Sequence, residues 1–479
     1  MLGGLLAIFV AGYVLYLARS MAPFAIGSDQ SGYLNSARLM SQGKLFALPR
    51  LLPGTTINQF ASYWVVPLGF VPRADGRLAP TYPTGYPLQL AAASVFGWDQ
   101  APTVVNLLSA LASGLLLFAY SRKLGLSHEM AIGGVCLLWF CPLFIISAIL
   151  PMSDLSALCW TMAALYCAIS AREHQAWGLL CGAAVGMAVL VRPTNALLLA
   201  PLLVALGFRF RSWLAVGLGA LPAATFFCYY NWQVYGAPFT TGYGDISSSL
   251  DRKYLGYNLA HFSHWIPILL SPLSVLALIA PYLPAVRQRG YAVLFVWFVV
   301  LTGFYLLYYF SGQAWWYLRF ILPAFPAIII GMLAVVDAAA TAARLRSVTA
   351  AVAFGALVTA GLVWQMHQTK LLGLRFTRKI ESSFPDSALW ARQNIPADSV
   401  IFCMQVSGAF FYYTDFLLVR WDVMEPEQYH PLLEVTTRLE RTVYAALYPF
   451  ETPEALKRIG GNWTKLHTEG QVTFWRRQP

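Results

Sequence analysis

The sequence predicts a polytopic α-helical membrane protein that ends in a small α/β domain. Of its 479 residues, 58% are hydrophobic and only 11% are charged, whereas soluble domains carry about 25% charged residues. Apolar stretches near span length recur from Leu2 to Trp364, and ordinary polarity returns only in the last hundred or so residues. These two observations fix the class, and the spacing of charges between the apolar stretches supplies a topology.

Apolar segments occur near residues 3–21, 101–121, 129–149, 155–171, 176–191, 195–208, 213–231, 264–284, 291–310, 318–337 and 347–365. That is about eleven transmembrane helices. The first has neither a basic leader nor an Ala-x-Ala cleavage site, so it reads as a retained anchor helix. Under strict alternation Arg122 with Lys123, Arg172, Arg209 with Arg211, Arg287 with Arg289, and Arg344 with Arg346 all fall on one side. The positive-inside rule makes that side cytoplasmic. The net charge of +11 is therefore topological, and nucleic acid is not an expected partner because no aromatic-basic recognition motif accompanies it.

The domain reading is a transmembrane module over residues 1–365, with outer loops 22–100 and 232–263, and an extracytoplasmic α/β tail over 366–479. Within the first loop, Tyr33 to Met40 repeats apolar residues at helical spacing and reads as an interfacial helix ending at Gly43. In the tail, Ser387 to Gln393 reads as helix, and Ser399 to Gln405 and Phe416 to Trp421 as strands. The seven cysteines show no CxxC or Cys/His pairing, so neither a zinc site nor a disulfide framework is read.

Four ionisable residues gather on the outer side. Asp29 lies in Gly27-Ser28-Asp29-Gln30-Ser31-Gly32-Tyr33, just after the first span, and Asp154 opens another in Pro151-Met152-Ser153-Asp154. Acids at the edge of an apolar bundle are expensive and point to chemistry or ion handling, although Asp154 also suits a helix N-cap. Arg192 and Arg319 stand at outer helix ends against the positive-inside preference. Snorkelling to lipid phosphate accounts for such arginines, as does specific capture of an anion by the guanidinium fork. Two acids and two arginines facing one outer cavity fit a phosphate-bearing lipid substrate and an acid–base step.

The loops add aromatic and turn motifs: Tyr82-Pro83-Thr84-Gly85-Tyr86-Pro87, Asn231 with Tyr235-Gly236-Ala237-Pro238, and Thr241-Gly242-Tyr243-Gly244. Their rings read either as an interfacial aromatic belt or as flat platforms for sugar rings. His261 and His264 have the i, i+3 spacing of a metal pair, but no acid stands at fixed spacing, and an interfacial histidine pair is the better reading.

Taken in order, these motifs resemble those of the GT-C superfamily of membrane glycosyltransferases. The pattern is similar to the dolichyl-phosphate-mannose-protein mannosyltransferase-like group and to the lipid A aminoarabinose transferases. The resemblance rests on Gly27-Ser28-Asp29 with Tyr33 and Ala37-Arg38, Tyr82 to Pro87, Ser153-Asp154, Arg192-Pro193-Thr194, Asn231 with Tyr235 to Pro238, and Tyr317-Leu318-Arg319-Phe320. It implies transfer of a sugar, hexosyl or pentosyl, from a polyprenyl-phosphate donor at the outer face of a bacterial inner membrane. The acceptor would be a glycan, a lipid or a protein. Asp29 would be the catalytic base, with Asp154 lining the same cavity, and direct displacement would invert the anomeric centre. Arg192, Arg319, Tyr33, Tyr82, Tyr86 and Tyr243 are the candidate substrate contacts. Gln30 stands where the family often has a second acid, so any role of that acid in holding a divalent cation is in question, and no resident cofactor is assigned.

A transporter or lipid flippase is the competing reading, because such proteins also combine many spans with buried polar groups. Against it, Asp337 is the only acid assigned inside a span, and it lies at the cytoplasmic end. A non-catalytic assembly scaffold would leave Asp29 without a task.

Overall fold

The apolar stretches fold as helices whose breaks follow the prolines. The computed structural model describes residues 2–286, 289–344 and 346–478. The chain forms two units, one of Met1–Arg19, Val104–Phe227 and Asp245–Arg375, the other of Ser20–Thr103, Cys228–Gly244 and Phe376–Pro479.

In the first unit, Ala101–Lys123 is a 23-residue apolar helix. At about 1.5 Å per residue it is roughly 34 Å long, enough for a hydrocarbon core of about 30 Å. Phe210–Tyr235, whose last residues count with the other unit, Trp315–Ala342 and Val348–Leu371 also meet the length and apolarity of a span. His128–Trp139 and Pro142–Ile149 meet it only as a pair bent by 61°. Pro142 explains the bend: it has no N–H to donate, and it drives Cys141 to an extended ψ of 125°.

The same effect changes the stretch expected as one span at 264–284. Pro272, Pro281 and Pro284 divide it into the helix Leu255–Leu269 followed by 3₁₀ turns at Pro272–Leu278, Ala280–Tyr282 and Pro284–Val286. Among the described residues, then, four helices reach span length, or five with the bent pair, where the apolar stretches suggest eleven. Ala7–Ser20, Ala176–Val191, Pro193–Leu206 and Gly290–Leu306 are shorter apolar helices. Arg287, counted with the cytoplasmic arginines, lies outside the described residues.

Large aromatic side chains fill this unit while keeping their polar tips bonded. Tyr13 stacks on Trp139 at 4.5 Å and donates its hydroxyl to the Trp139 carbonyl at 3.0 Å. Trp297, fully buried, donates its indole N–H to the Pro323 carbonyl at 3.0 Å. Two other helices approach backbone to backbone. Gly178, Gly182 and Gly186 repeat every four residues along Ala176–Val191, facing Ala215, Val216 and Ala223 of Phe210–Tyr235. A Cβ on Gly182 would overlap the Val216 carbonyl, and one on Gly186 would lie 2.6 Å from the Ala223 Cβ. Small residues at this spacing allow close helix packing where no hydrophobic gradient drives it.

The second unit is mixed α/β. A short hairpin, β1 (Phe70–Pro72) and β2 (Leu78–Pro80), comes from the first loop. The tail supplies β3 (Val400–Cys403), β4 (Leu417–Arg420), β5 (Val443–Leu447), β6 (Trp463–Glu469) and β7 (Val472–Arg477). These form one sheet in the order β4-β3-β5-β7-β6. β4 and β5 flank β3 in parallel, while β7 runs antiparallel to β5 and to β6. β3 and β5 are buried along their whole length, as parallel strands covered on both faces require. Their core is completed by Leu52, Trp64, Val66 and Phe70 from the first loop.

The glycine row yields a test. Gly182→Leu should destabilise the purified protein by about 1–3 kcal/mol through overpacking, read as a lowered melting temperature in detergent. Gly217→Leu is the control, because a Cβ there meets open space. Equal melting temperatures for the two variants would rule out the tight crossing.

Candidate active site

Two clusters contain the residues that the sequence singles out, one in each unit. In the first unit, prolines again set the geometry. Pro193 forces Arg192 out of the helix Ala176–Val191 into an extended conformation, φ −146° and ψ 112°. The side chain is thereby released from the helix face. Pro151 acts likewise on Leu150, ψ 150°, after which the helix Ser153–Ser170 starts with Asp154 in its first turn. There the carboxylate meets the positive end of the helix dipole.

Asp154 has no solvent exposure, and the Arg192 guanidinium, 13% exposed, donates to its Oδ1. Its Oδ2 is buried with no hydrogen-bond partner among the described residues. Arg192 also donates to the Arg319 carbonyl at 3.4 Å. Arg319 lies in the 3₁₀ segment Trp315–Ala324, its Nη1 3.6 Å from Met152 Sδ. Both guanidinium groups lie beside the Phe320 ring, at 5.7 and 5.5 Å from its centroid. That ring stacks on Tyr305, whose hydroxyl is 3.0 Å from Thr194 Oγ1. One guanidinium thus pairs with the carboxylate, and the second lies beside the same Phe320 ring.

The structure corrects two readings made from sequence. Asp154 is not an N-cap, since Met152 holds that position and Asp154 is spent on Arg192. Arg192 is not a snorkelling side chain, because it is ion-paired inward. Tyr305 and Phe320 complete the cluster. Phe320 belongs to the motif that ends Arg319-Phe320, whereas Tyr305, one tyrosine in an apolar run, carried no sequence signal.

In the second unit, Gly27 takes a φ of +48°, which favours glycine, and Asp29 then starts the helix Asp29–Ser41. Ser28 Oγ and the Tyr82 hydroxyl are 2.6 Å apart. Tyr82 packs against Tyr33 at 5.0 Å and edge-on against Tyr243 at 5.9 Å, and Tyr33 meets Tyr86 at 5.2 Å. Burial raises the Tyr82 phenol well above its ordinary pKa, and the negative charge of Asp29 adds to the rise. The phenol therefore stays protonated beside Asp29 and remains a donor. Tyr33, Tyr82 and Tyr86 are buried, so their ring faces serve packing, while Tyr243 is 47% exposed. Close approach is built in here too: a Cβ on Gly32 would sit 2.5 Å from the Tyr82 ring.

His261 shares a hydrogen bond with the Ala314 carbonyl at 3.2 Å, and His264 meets Trp265 edge-on at 5.2 Å. Among the described residues no three His, Cys, Asp or Glu side chains gather as metal ligands would.

A fold of broken helices joined to a small sheet domain, with ionisable residues at helix ends, is that of the GT-C glycosyltransferases. Residues 84–231 match the family model for dolichyl-phosphate-mannose-protein mannosyltransferase. The structure of ArnT from Cupriavidus metallidurans bound to undecaprenyl phosphate is similar over 99% of both chains, at 15% identity and a TM-score of 0.62. An oligosaccharyltransferase from Archaeoglobus fulgidus is similar over 94% of this chain and 71% of its own, at 11% identity and a TM-score of 0.53. The arabinofuranosyltransferase AftD from Mycobacteria covers 98% of this chain over 41% of its own length, at 12% identity and a TM-score of 0.56. No curated protein matches the chain at a significant level.

The buried pair sets a second test. Arg192→Ala should cost about 3–5 kcal/mol of stability, because it strands a buried carboxylate. Adding Asp154→Leu to Arg192→Met should recover most of that loss, as removing both charges removes the penalty. Strictly additive losses in a double-mutant cycle of thermal unfolding would show that the two side chains do not interact.

Proposed function

We propose that the protein transfers a sugar from a polyprenyl-phosphate donor to an acceptor at the outer face of a bacterial inner membrane. The observation that supports this most is the buried Asp154 paired with Arg192, with Arg319 beside the same aromatic ring. Two neighbouring guanidinium groups, one of them held by a carboxylate and a carbonyl, suit phosphate oxygens and stabilise the negative charge that grows on a departing phosphate. The undecaprenyl phosphate bound to ArnT is a ligand of that chemistry.

The donor's tail has a matching environment. An apolar cavity of about 740 Å³ in the first unit is walled by Phe262, Ile266, Phe295, Phe298, Val299 and Ile328, among others. In this reading it takes part of the polyprenyl chain.

Asp29 is the general base. It removes the proton of the acceptor hydroxyl as that oxygen attacks the anomeric carbon, the C–O bond to phosphate breaks, and the configuration inverts. Tyr82, kept protonated, donates towards Asp29 and fixes its carboxylate, and the exposed Tyr243 offers a ring face to a sugar. Arg192 and Arg319 take the phosphate, with Asp154 as the positioning anion. Arg122, Lys123, Arg172, Arg209 and Arg211 mark the cytoplasmic side in this topology, with the shorter apolar helices completing about eleven crossings. The tail from 366 then faces the periplasm.

Transfer of labelled sugar from membrane polyprenyl-phosphate donors to endogenous acceptors tests the proposal. Asp29→Asn at matched expression should lower the rate by about 10²–10⁴-fold, the usual value of general-base assistance. The product's mass would identify the acceptor, and its NMR coupling the anomeric outcome. Equal rates for wild type and Asp29→Asn would exclude Asp29 as the base.

A further inference from the structure

The second unit contains a cavity that the transfer reading does not use. It measures about 460 Å³ and is lined by Arg38, Arg50 and Arg392, from three separate parts of the chain. Its wall holds a single acid, Asp415, whose side chain is fully exposed and 3.7 Å from Arg50. The lining therefore carries two positive charges in excess.

Two of the arginines are fixed in place. Arg38 donates to the Tyr412 carbonyl at 2.6 Å and lies over the Tyr412 ring at 3.4 Å from its centroid. Arg50 donates to the Phe411 and Phe416 carbonyls at 2.9 and 3.1 Å and stacks on the Phe411 ring at 4.3 Å. Burial lowers the Arg50 pKa to about 10, with the Asp415 charge opposing that fall. A guanidinium has five N–H donors in a rigid fork, more than these partners use. Holding a desolvated Arg50 in one cavity wall with Arg38, with one exposed acid in the lining, is costly for folding alone, and anion recognition gives them a task. Arg392, by contrast, is exposed.

The remaining lining suits a sugar. Gln42 supplies an exposed amide, while Asn35 and Thr414, whose donors are engaged on the Gly408 and Phe410 carbonyls, offer oxygens as acceptors, and the Tyr413 hydroxyl, which accepts from the Ala25 amide, keeps a proton to donate. The volume far exceeds the roughly 30 Å³ share of one water, and it lies in the range of about 300–1,000 Å³ usual for small-ligand sites. We propose that this cavity binds a phosphate-bearing saccharide, with the phosphate on the three guanidinium groups and the sugar hydroxyls on the polar wall. Because the site draws only on second-unit residues and its test measures binding, the proposal does not depend on Asp29 or on transfer.

Calorimetric titration of the full chain in phosphatidylcholine nanodiscs tests it, with glucose 1-phosphate as probe and glucose as the neutral control. Glucose 1-phosphate should bind and glucose should not. Arg392→Glu should weaken binding by roughly tenfold or more, the value of one charge-assisted contact. Arg38→Gln should act in the same direction, while Lys465→Gln, at an exposed position outside the cavity, should leave binding unchanged. Because Arg392 is exposed, its variant should keep the wild-type melting temperature, so weaker binding would not reflect misfolding. Equal binding of glucose, no binding at all, or an affinity that Lys465→Gln lowers and Arg392→Glu does not would each overturn the proposal. Loss of the signal in nanodiscs containing phosphatidylglycerol would assign the arginines to lipid headgroups and overturn the saccharide reading.

Discussion

A carboxylate with no exposure inside an apolar bundle is tolerable only while a cation stays against it. The penalty for such an ion is several kcal/mol, and a partner free to swing away would not offset it. In this chain the restraint on Arg192 is largely backbone. Pro193 fixes the extended conformation that releases the side chain, the Arg319 carbonyl takes one of its donors, and Phe320 flanks it. Pro151 does comparable work for Asp154 by ending one helix and letting the next begin at Ser153. The helix breaks and the charge cluster are therefore one constraint, since polar chemistry in a bundle is positioned most easily where a helix stops.

The second unit rests on a different device, close backbone approach. Residues of the first loop join the core of the tail's sheet, so the helix that starts at Asp29 is held from behind by the tail. Asn35 donates to the Gly408 carbonyl at 3.1 Å, and Ser407 Oγ accepts from the Leu68 amide at 3.1 Å. The Arg420 amide donates to the Trp64 carbonyl at 2.7 Å. Gly32 and Gly69 pass so close that neither could carry a side chain without displacement. The tail has a structural task here whatever it binds: it fixes the orientation of the helix that carries Asp29.

These arrangements explain what could be read from sequence. The polytopic class was legible because composition alone sets it, and helices lie at most of the stretches where apolar runs placed them. The helix breaks were not legible, since a count of apolar residues ignores prolines such as Pro142 and Pro272 that cut a run into shorter pieces. Asp154, Arg192 and Arg319 each stood out as charges at helix ends. Their pairing did not, because 38 residues separate Asp154 from Arg192 and 127 separate Arg192 from Arg319. Tyr33, Tyr86 and Tyr243 looked alike as loop aromatics, and burial divides them: the first two pack inside, and only Tyr243 shows a face. The cationic cavity was not legible because Arg50 and Arg392 are unremarkable one at a time, and nothing in the sequence ties them to the Ala37-Arg38 motif.

The two arginine clusters differ in a way that follows from their surroundings. In the bundle, a buried carboxylate pairs with one guanidinium, as the cost of burying a charge requires. In the second unit, water reaches the cavity and aromatic rings lie under two of the cations, so three arginines coexist with a single exposed acid. A buried site with a small net charge favours a ligand that brings its own apolar anchor, because charge alone supplies little affinity there. A wet, strongly cationic cavity with polar walls favours a soluble anion whose charge does most of the work. Under the two proposals the difference in surroundings becomes a difference in ligand chemistry, with a lipid-borne phosphate proposed for the bundle and a hydrated one for the second unit.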